Sequence, residues 1–218
     1  MNPIVAKKAG RPAAADLVPR ERILAAAARL FRERGYQATT VRDIAGEVGI
    51  LSGSLFHHFV SKEQMLVELV REAAISMCVG AEALLAAVES PTARLRGIVR
   101  LELDGFVNSR LRDHYAAGVS EWRDVPASAQ PELRMLRQRY FGLVRSVLDA
   151  CAAEGRLRIA PDAALKVLNS ATTGSVTWFR QDGRYSVDEF TDILLRLVLN
   201  DEPSGAARAA QPAQRRRR

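Results

Sequence analysis

The stretch that most restricts the fold runs from residue 38 to residue 62: Ala-Thr-Thr-Val-Arg-Asp-Ile-Ala-Gly-Glu-Val-Gly-Ile-Leu-Ser-Gly-Ser-Leu-Phe-His-His-Phe-Val-Ser-Lys. Thr40 is placed as a helix N-cap, where a hydroxyl satisfies a free amide of the first turn. Val41, Ile44 and Ala45 follow at i, i+3 and i+4, the spacing of one helical face. Gly49 stands where the chain must turn, and glycine enters positive φ at little cost. A second short helix is expected from Ser52 to His58, with Ser52 as its cap. Leu55 and Phe59 face inward; Ser52, Ser54, Phe56, His57 and His58 lie outward or on the flanks. Two short helices across a tight turn make a helix-turn-helix, which lays its second helix in the major groove of DNA. Ser52, Gly53 and Ser54 are small enough to let that backbone approach a duplex, and small polar side chains reach base edges or phosphates.

Charge follows the same partition. Residues 1–62 hold ten Lys/Arg against five Asp/Glu, residues 63–207 seventeen against twenty, and residues 208–218 five Arg and no acid. The positive field therefore sits on the helix-turn-helix third and on the tail, while the middle is near neutral. No apolar run reaches the length of about 18 residues that a membrane span needs. The first 20 residues lack the apolar core of a signal peptide, so a cytoplasmic location is expected. Cys78 and Cys151 lie in apolar helical stretches and read as buried free thiols.

The rest of the chain reads as helices. Residues 1–18 form a basic arm rich in Ala, Pro and Gly, with Gly10-Arg11-Pro12 within it. Arginine is favoured in a narrow A·T minor groove, so Arg11 is a candidate contact; a solubilising arm accounts for the same residues. A first helix over 19–34 carries Ile23, Leu24, Ala27, Leu30 and Phe31 on one stripe and ends at Gly35. Ser61 caps a long helix from Lys62 to about Val88. Pro91 opens the next helix, and a break at Asn108 and Ser109 precedes Leu111 to Glu121. Further helices are expected from Pro131 to Glu154, from Pro161 to about Gln181, and, capped by Ser186, to about Asn200. The fold class is all-α, with about nine helices. A three-helix DNA-binding head (19–62) precedes a helical bundle (63–205), and an Arg-rich tail (206–218) follows.

Residues 20–66 resemble the DNA-binding domain of the TetR family of bacterial repressors. The matching residues are Arg22-Ile23-Leu24-x-Ala26-Ala27-x-x-Leu30-Phe31, Gly35-Tyr36, Thr39-Thr40-Val41-x-x-Ile44-Ala45, Gly49, Gly53-Ser54-Leu55-Phe56-His57-His58-Phe59 and Ser61-Lys62-Glu63. Two positions depart from the family pattern. Leu51 stands where the family has a capping Ser, and Phe56 stands where it has a Tyr whose hydroxyl reaches a phosphate. The run Gly-Ile-Leu-Ser-Gly-Ser-Leu resembles a subset that regulates fatty-acid and steroid breakdown and senses acyl-CoA thioesters. The resemblance implies double-stranded operator DNA as partner, contacted through Arg11, Arg20, Thr40, Arg42, Ser52, Gly53, Ser54, Phe56, His57, His58 and Lys62. It also implies a small-molecule effector, an acyl-CoA, enclosed by the bundle, and a homodimer.

Residues 169–180 carry a run of small or polar side chains in a helix that should be buried. Either two helices pack closely there at a dimer interface, or the run leaves room for a ligand. Candidate ligand residues are Trp122, Arg123, Arg139, Tyr140, Asn169, Thr173, Trp178 and Arg180, because an arginine at a pocket mouth holds the phosphates of a CoA moiety. The apolar stripe of the last helix is too wide for the surface of a monomer. It points to a dimer interface through Phe179, Val187, Phe190, Leu194 and Leu197; the competing reading is that the last helices close a bundle within the chain. Adjacent His57 and His58 point in different directions and cannot hold one metal, so no metal or cofactor is expected. No phosphate loop or nucleophile elbow is present, which disfavours an enzyme. The competing reading is an architectural DNA-binding protein that needs no ligand.

Overall fold

The computed structural model describes residues 19–107, 112–180 and 182–200. The basic arm with Arg11, the break expected at Asn108 and Ser109, and the Arg-rich tail lie outside the described residues. Among the described residues the chain forms α1 (Arg20–Arg34), α2 (Val41–Val48), α3 (Ser52–Leu55), α4 (Lys62–Ala87), α5 (Pro91–Val107), α6 (Arg112–Ser120), α7 (Gln130–Ala153), α8 (Pro161–Trp178) and α9 (Val187–Val198). A short 3-10 turn, Trp122–Asp124, leads towards α7. The architecture is all-α, with one isolated bridge between Leu157 and Leu199.

Side-chain caps set three helix starts. The hydroxyls of Thr40, Ser61 and Ser186 accept from the amides of Asp43, Gln64 and Glu189 at 3.1, 3.2 and 3.2 Å. Asp43 and Glu189 accept in return from the cap amides, closing two capping boxes. Gly49 ends α2 in the left-handed region, at φ 76° and ψ 32°, which strains any side chain. The second helix of the motif differs from expectation. It is one turn long, and its N-cap is Leu51, which makes no side-chain bond. Ser52 is therefore the first helical residue, not the cap. The amide of Ile50 still bonds back to Ala45 at 3.0 Å, so Leu51 is the extended residue that reverses the chain. From Phe56 to His58 the chain continues in turns.

Two apolar cores share α4, α6 and α7. The head core packs Ile23, Leu30 and Phe31 of α1 against Ile44, Leu55 and Phe59 and against Met65, Leu66 and Leu69 in the first turns of α4. Fully burying one such side chain stabilises by roughly 1.5–3 kcal/mol. Ala117 of α6 and Leu133 of α7 belong to the same core. The body core joins the second half of α4 to α5, α7, α8 and α9. Cys78 and Cys151 are buried free thiols, and burial pushes Cys151 up to about 11.

The interface expected on the last helices is largely spent inside the chain. Phe179, Val187, Phe190 and Leu194 are 4, 9, 8 and 3 % exposed and sit in the body core. The cause is α5, the central helix of the body, which packs against α4, α7, α8 and α9. The wide stripe of α9 thus divides into an inner half that covers α5 and an outer half that keeps Leu197, 55 % exposed.

Candidate nucleic-acid interface and effector cavity

The outer surface of the head is built by the turn and by α3. Leu55 and Phe59 anchor the segment in the core. Gly53, Phe56 and His57 are exposed, Ser52, Ser54 and His58 are half-buried, and Arg42 lies exposed on α2. A side chain at position 53 would meet nothing within 4 Å, so nothing inside the chain demands a glycine there. Leu51 and Val60 add two large apolar side chains, 79 and 76 % exposed, to the same face.

Three expected DNA contacts are engaged within the protein. Arg20 pairs with Glu68 of α4 and lies 4.2 Å from the centre of the Phe59 ring. Thr40 donates its hydroxyl to Asp43 at 2.5 Å, so its proton serves the capping box. Lys62 donates to the carbonyl oxygens of Tyr36 and Thr39, both at 2.8 Å, and sits over the Tyr36 ring. Its ammonium fastens the loop between α1 and α2 to the start of α4. A charge reads as exposed in a sequence; only the fold brings two carbonyl groups from 23 and 26 residues upstream to it.

The body encloses a cavity of about 440 Å³. Of the candidate ligand residues, Trp122, Arg123, Tyr140, Asn169 and Thr173 line it. Arg139, Trp178 and Arg180 do not. Arg139 leaves α7 on the other side and donates to Glu82 at 2.9 Å. Trp178 closes an aromatic cluster with Phe179 and Phe190, at ring distances of 5.7 and 5.1 Å. Arg180 is exposed beyond the end of α8. The small-residue run thus gives the cavity only its first turns. Among the wall residues that the sequence argument did not name as ligand candidates are Met77, Glu102, Phe106, Tyr115 and Arg137. Glu102 had a legible signal, a charge within the apolar stripe of Leu95, Ile98, Val99 and Phe106.

The walls are mostly apolar, and the polar groups gather at two ends. Arg123 and Arg137 are exposed at the rim. Glu102 and Tyr140 are 7 and 8 % exposed at the closed end, where the Tyr140 hydroxyl donates to the Glu102 carboxyl at 2.6 Å. Burial raises the Glu102 carboxyl above its ordinary range, against hydrogen bonds with Thr172 and Tyr140. Burial and the neighbouring Glu102 hold the Tyr140 phenol well above its usual value.

Residues 23–69 match the bacterial regulatory proteins of the tetR family, and residues 88–201 match the tetracyclin repressor-like C-terminal domain. The chain is 32 % identical over 183 residues to the HTH-type transcriptional repressor KstR2 of Mycolicibacterium smegmatis, covering 83 % of this chain and 88 % of that one. The chain belongs to the TetR family. It is a helix-turn-helix transcriptional repressor, not an enzyme, and DNA is its partner. The ketosteroid transcriptional regulator KstR2 of Mycobacterium tuberculosis has a TetR structure that superposes with a TM-score of 0.70 at 30 % identity, over 84 % of this chain and 95 % of that one. AibR, crystallised with isovaleryl coenzyme A and operator DNA, shares the fold with a TM-score of 0.74 at 20 % identity, over 82 and 96 %. No helix among the described residues is long and apolar enough to cross a membrane.

In this TetR chain α6 ties the cavity to the head. Tyr115, Gly118, Val119 and Ser120 line the cavity, while Ala117 is fully buried in the head core. Asp113 accepts from Arg32 of α1 at 2.5 Å, and His114 lies 3.3 Å from Glu72 of α4. Occupation of the cavity therefore bears on a helix that already holds α1.

Proposed function

We propose that the protein acts as a homodimer on a palindromic operator and is released from it by a small-molecule effector, an acyl-CoA thioester. The observation that carries this reading is the cavity of about 440 Å³ with arginines at its rim and α6 as one wall. Arg123 and Arg137 suit the phosphates of a CoA moiety, which guanidinium groups hold by paired hydrogen bonds. The apolar walls suit an acyl chain. AibR supports the proposal only as a fold with room for both ligand and operator.

The dimer would form on the outer faces of α8 and α9, where Val167, Trp178 and Leu197 are 39, 51 and 55 % exposed. Gly174 lies on the same face, and a side chain there would meet nothing within the chain. Alanine is the better helix former by about 1 kcal/mol, so a glycine there fits the close approach of a second copy. The two α3 helices then enter successive major grooves about 34 Å apart. The effector shifts α6 and α4 and, with them, the head. A coupling of about 1–3 kcal/mol changes operator affinity 5- to 150-fold.

The test is a titration of the protein–operator complex with acyl-CoA esters of increasing chain length. The expected result is release of DNA by a subset of esters, with Arg123→Ala and Arg137→Ala needing higher ester concentrations. DNA binding unchanged by every ester would favour the ligand-independent architectural reading.

A further inference from the structure

The closed end of the cavity is not apolar. Glu102 and Tyr140 are both more than nine-tenths buried there, and among the described residues no salt-bridge partner accompanies the carboxyl. Tyr140 donates its only proton to Glu102 at 2.6 Å. The Thr172 hydroxyl lies within donating distance of the backbone carbonyls of Leu168 and Asn169, at 3.0 and 3.2 Å. Burial raises the Glu102 carboxyl above its ordinary range, and its hydrogen bonds with Thr172 and Tyr140 oppose that rise.

Each carboxyl oxygen of Glu102 keeps a lone pair beyond the bond from Tyr140, and the Tyr140 oxygen also accepts. Asn169, whose amide both donates and accepts, also lines the cavity from α8, one turn before Thr173. We propose that Glu102 and Tyr140, with Asn169, form a recognition site for an oxygen-bearing group, a hydroxyl or a ketone, at the buried end of the effector. This rests on the cavity being the effector site. An alkyl terminus would displace water from these groups and leave them unpaired, whereas an oxygenated terminus replaces the lost bonds. Arg123 and Arg137 are exposed where the cavity meets the surface, so the fitting molecule carries an anionic group there and a neutral oxygen against the buried pair. A plain saturated chain satisfies only the rim.

The experiment uses decanoate, 9-hydroxydecanoate and 9-oxodecanoate, each as the free acid and as the CoA thioester, titrated calorimetrically into the full-length protein. For wild type, at least one oxygenated probe should bind roughly 10- to 100-fold more tightly than its plain counterpart. Glu102→Leu should bring that ratio to about one, and Tyr140→Phe should reduce it. Glu102→Gln keeps a donor and an acceptor and should retain most of the preference. That variant and Tyr140→Phe are close in shape to the native side chains, so the question stays open to refutation if Glu102→Leu fails to fold. Equal affinities for plain and oxygenated probes in wild type overturn the inference, as does a preference that survives both Glu102→Leu and Tyr140→Phe. An oxygen preference among free acids whose thioesters bind no better supports the inference and removes coenzyme A from the proposed function. Tight thioester binding without oxygen preference keeps the proposed function and overturns the inference. Binding of none of the six probes overturns both.

Discussion

Lys62 lies 4.1 Å from the centre of the Tyr36 ring and donates to that residue's carbonyl oxygen at 2.8 Å. The first residue of α4 is thereby fastened to the loop that precedes the helix-turn-helix. Lys62→Met should leave both carbonyl groups without their charged donor and cost about 2 kcal/mol, which lowers Tm by roughly 4–8 °C. Thermal unfolding followed by circular dichroism gives the answer. A residue that served only to meet a phosphate would leave Tm unchanged.

Arg42 and His57 are exposed and far from either core, so their loss should spare the fold. Arg42→Ala should reduce the dependence of log K on log salt by about 1, the signature of one lost phosphate contact. His57→Ala should weaken operator binding by about 1–3 kcal/mol, with Tm shifting by less than about 0.5 kcal/mol equivalent. Fluorescence anisotropy across a salt series separates the two. Wild-type affinity in both variants would move the reading face elsewhere on the head.

Leu197 and Phe190 lie on the same short helix and should respond in opposite ways. Leu197→Asp puts a charge on the outer face and should yield folded monomers by light scattering. Phe190→Ala opens the body core and should cost about 3–5 kcal/mol. A dimer that tolerates both Leu197→Asp and Val167→Asp places the interface away from α8 and α9.

His114 should make stability sensitive to acid. It is 6 % exposed, its Nδ1 has no hydrogen-bond partner among the described residues, and burial lowers its pKa against the pull of Asp113. Glu72 of α4 also faces it, with a carboxyl that burial raises. The folded chain binds the imidazole proton less readily than the unfolded chain, whose histidine titrates near about 6.5. Stability from this group is therefore intact above about pH 6.5 and is lost as pH falls below it. The drop in Tm between pH 7.5 and 5.5 should be smaller in His114→Leu than in wild type. Equal drops would show that His114 titrates alike in both states.

Local chemistry made much of this fold legible. Thr40, Ser61 and Ser186 each announce a helix start because a short hydroxyl side chain competes for the backbone only there. Gly49 announces the turn. What stayed hidden depends on contacts far apart in sequence. Arg137 and Arg139 are two positions apart on α7, hence on opposite sides of it, and nothing nearby says that one meets the cavity and the other Glu82. The stripe of α9 shows that much of the helix is covered, but α5 or a second subunit could cover it equally well. Ser52 failed as a cap because the helix begins one residue earlier, with Leu51 as the extended residue before it. Glu102 was visible as an acid on an apolar face, and its neutral partners, Tyr140 and Thr172, come from other helices.

Tyr115 and Ala117 stand two residues apart on α6, one on the wall of the cavity and the other in the packing beneath the reading head. An exchange on this helix is felt twice, once in the cavity wall and once in the head core. A lineage that reshapes the chamber does so most cheaply on α5 and α8, whose side chains line it without entering the head core. The short helix between them is the costly place to innovate and the economical place to transmit.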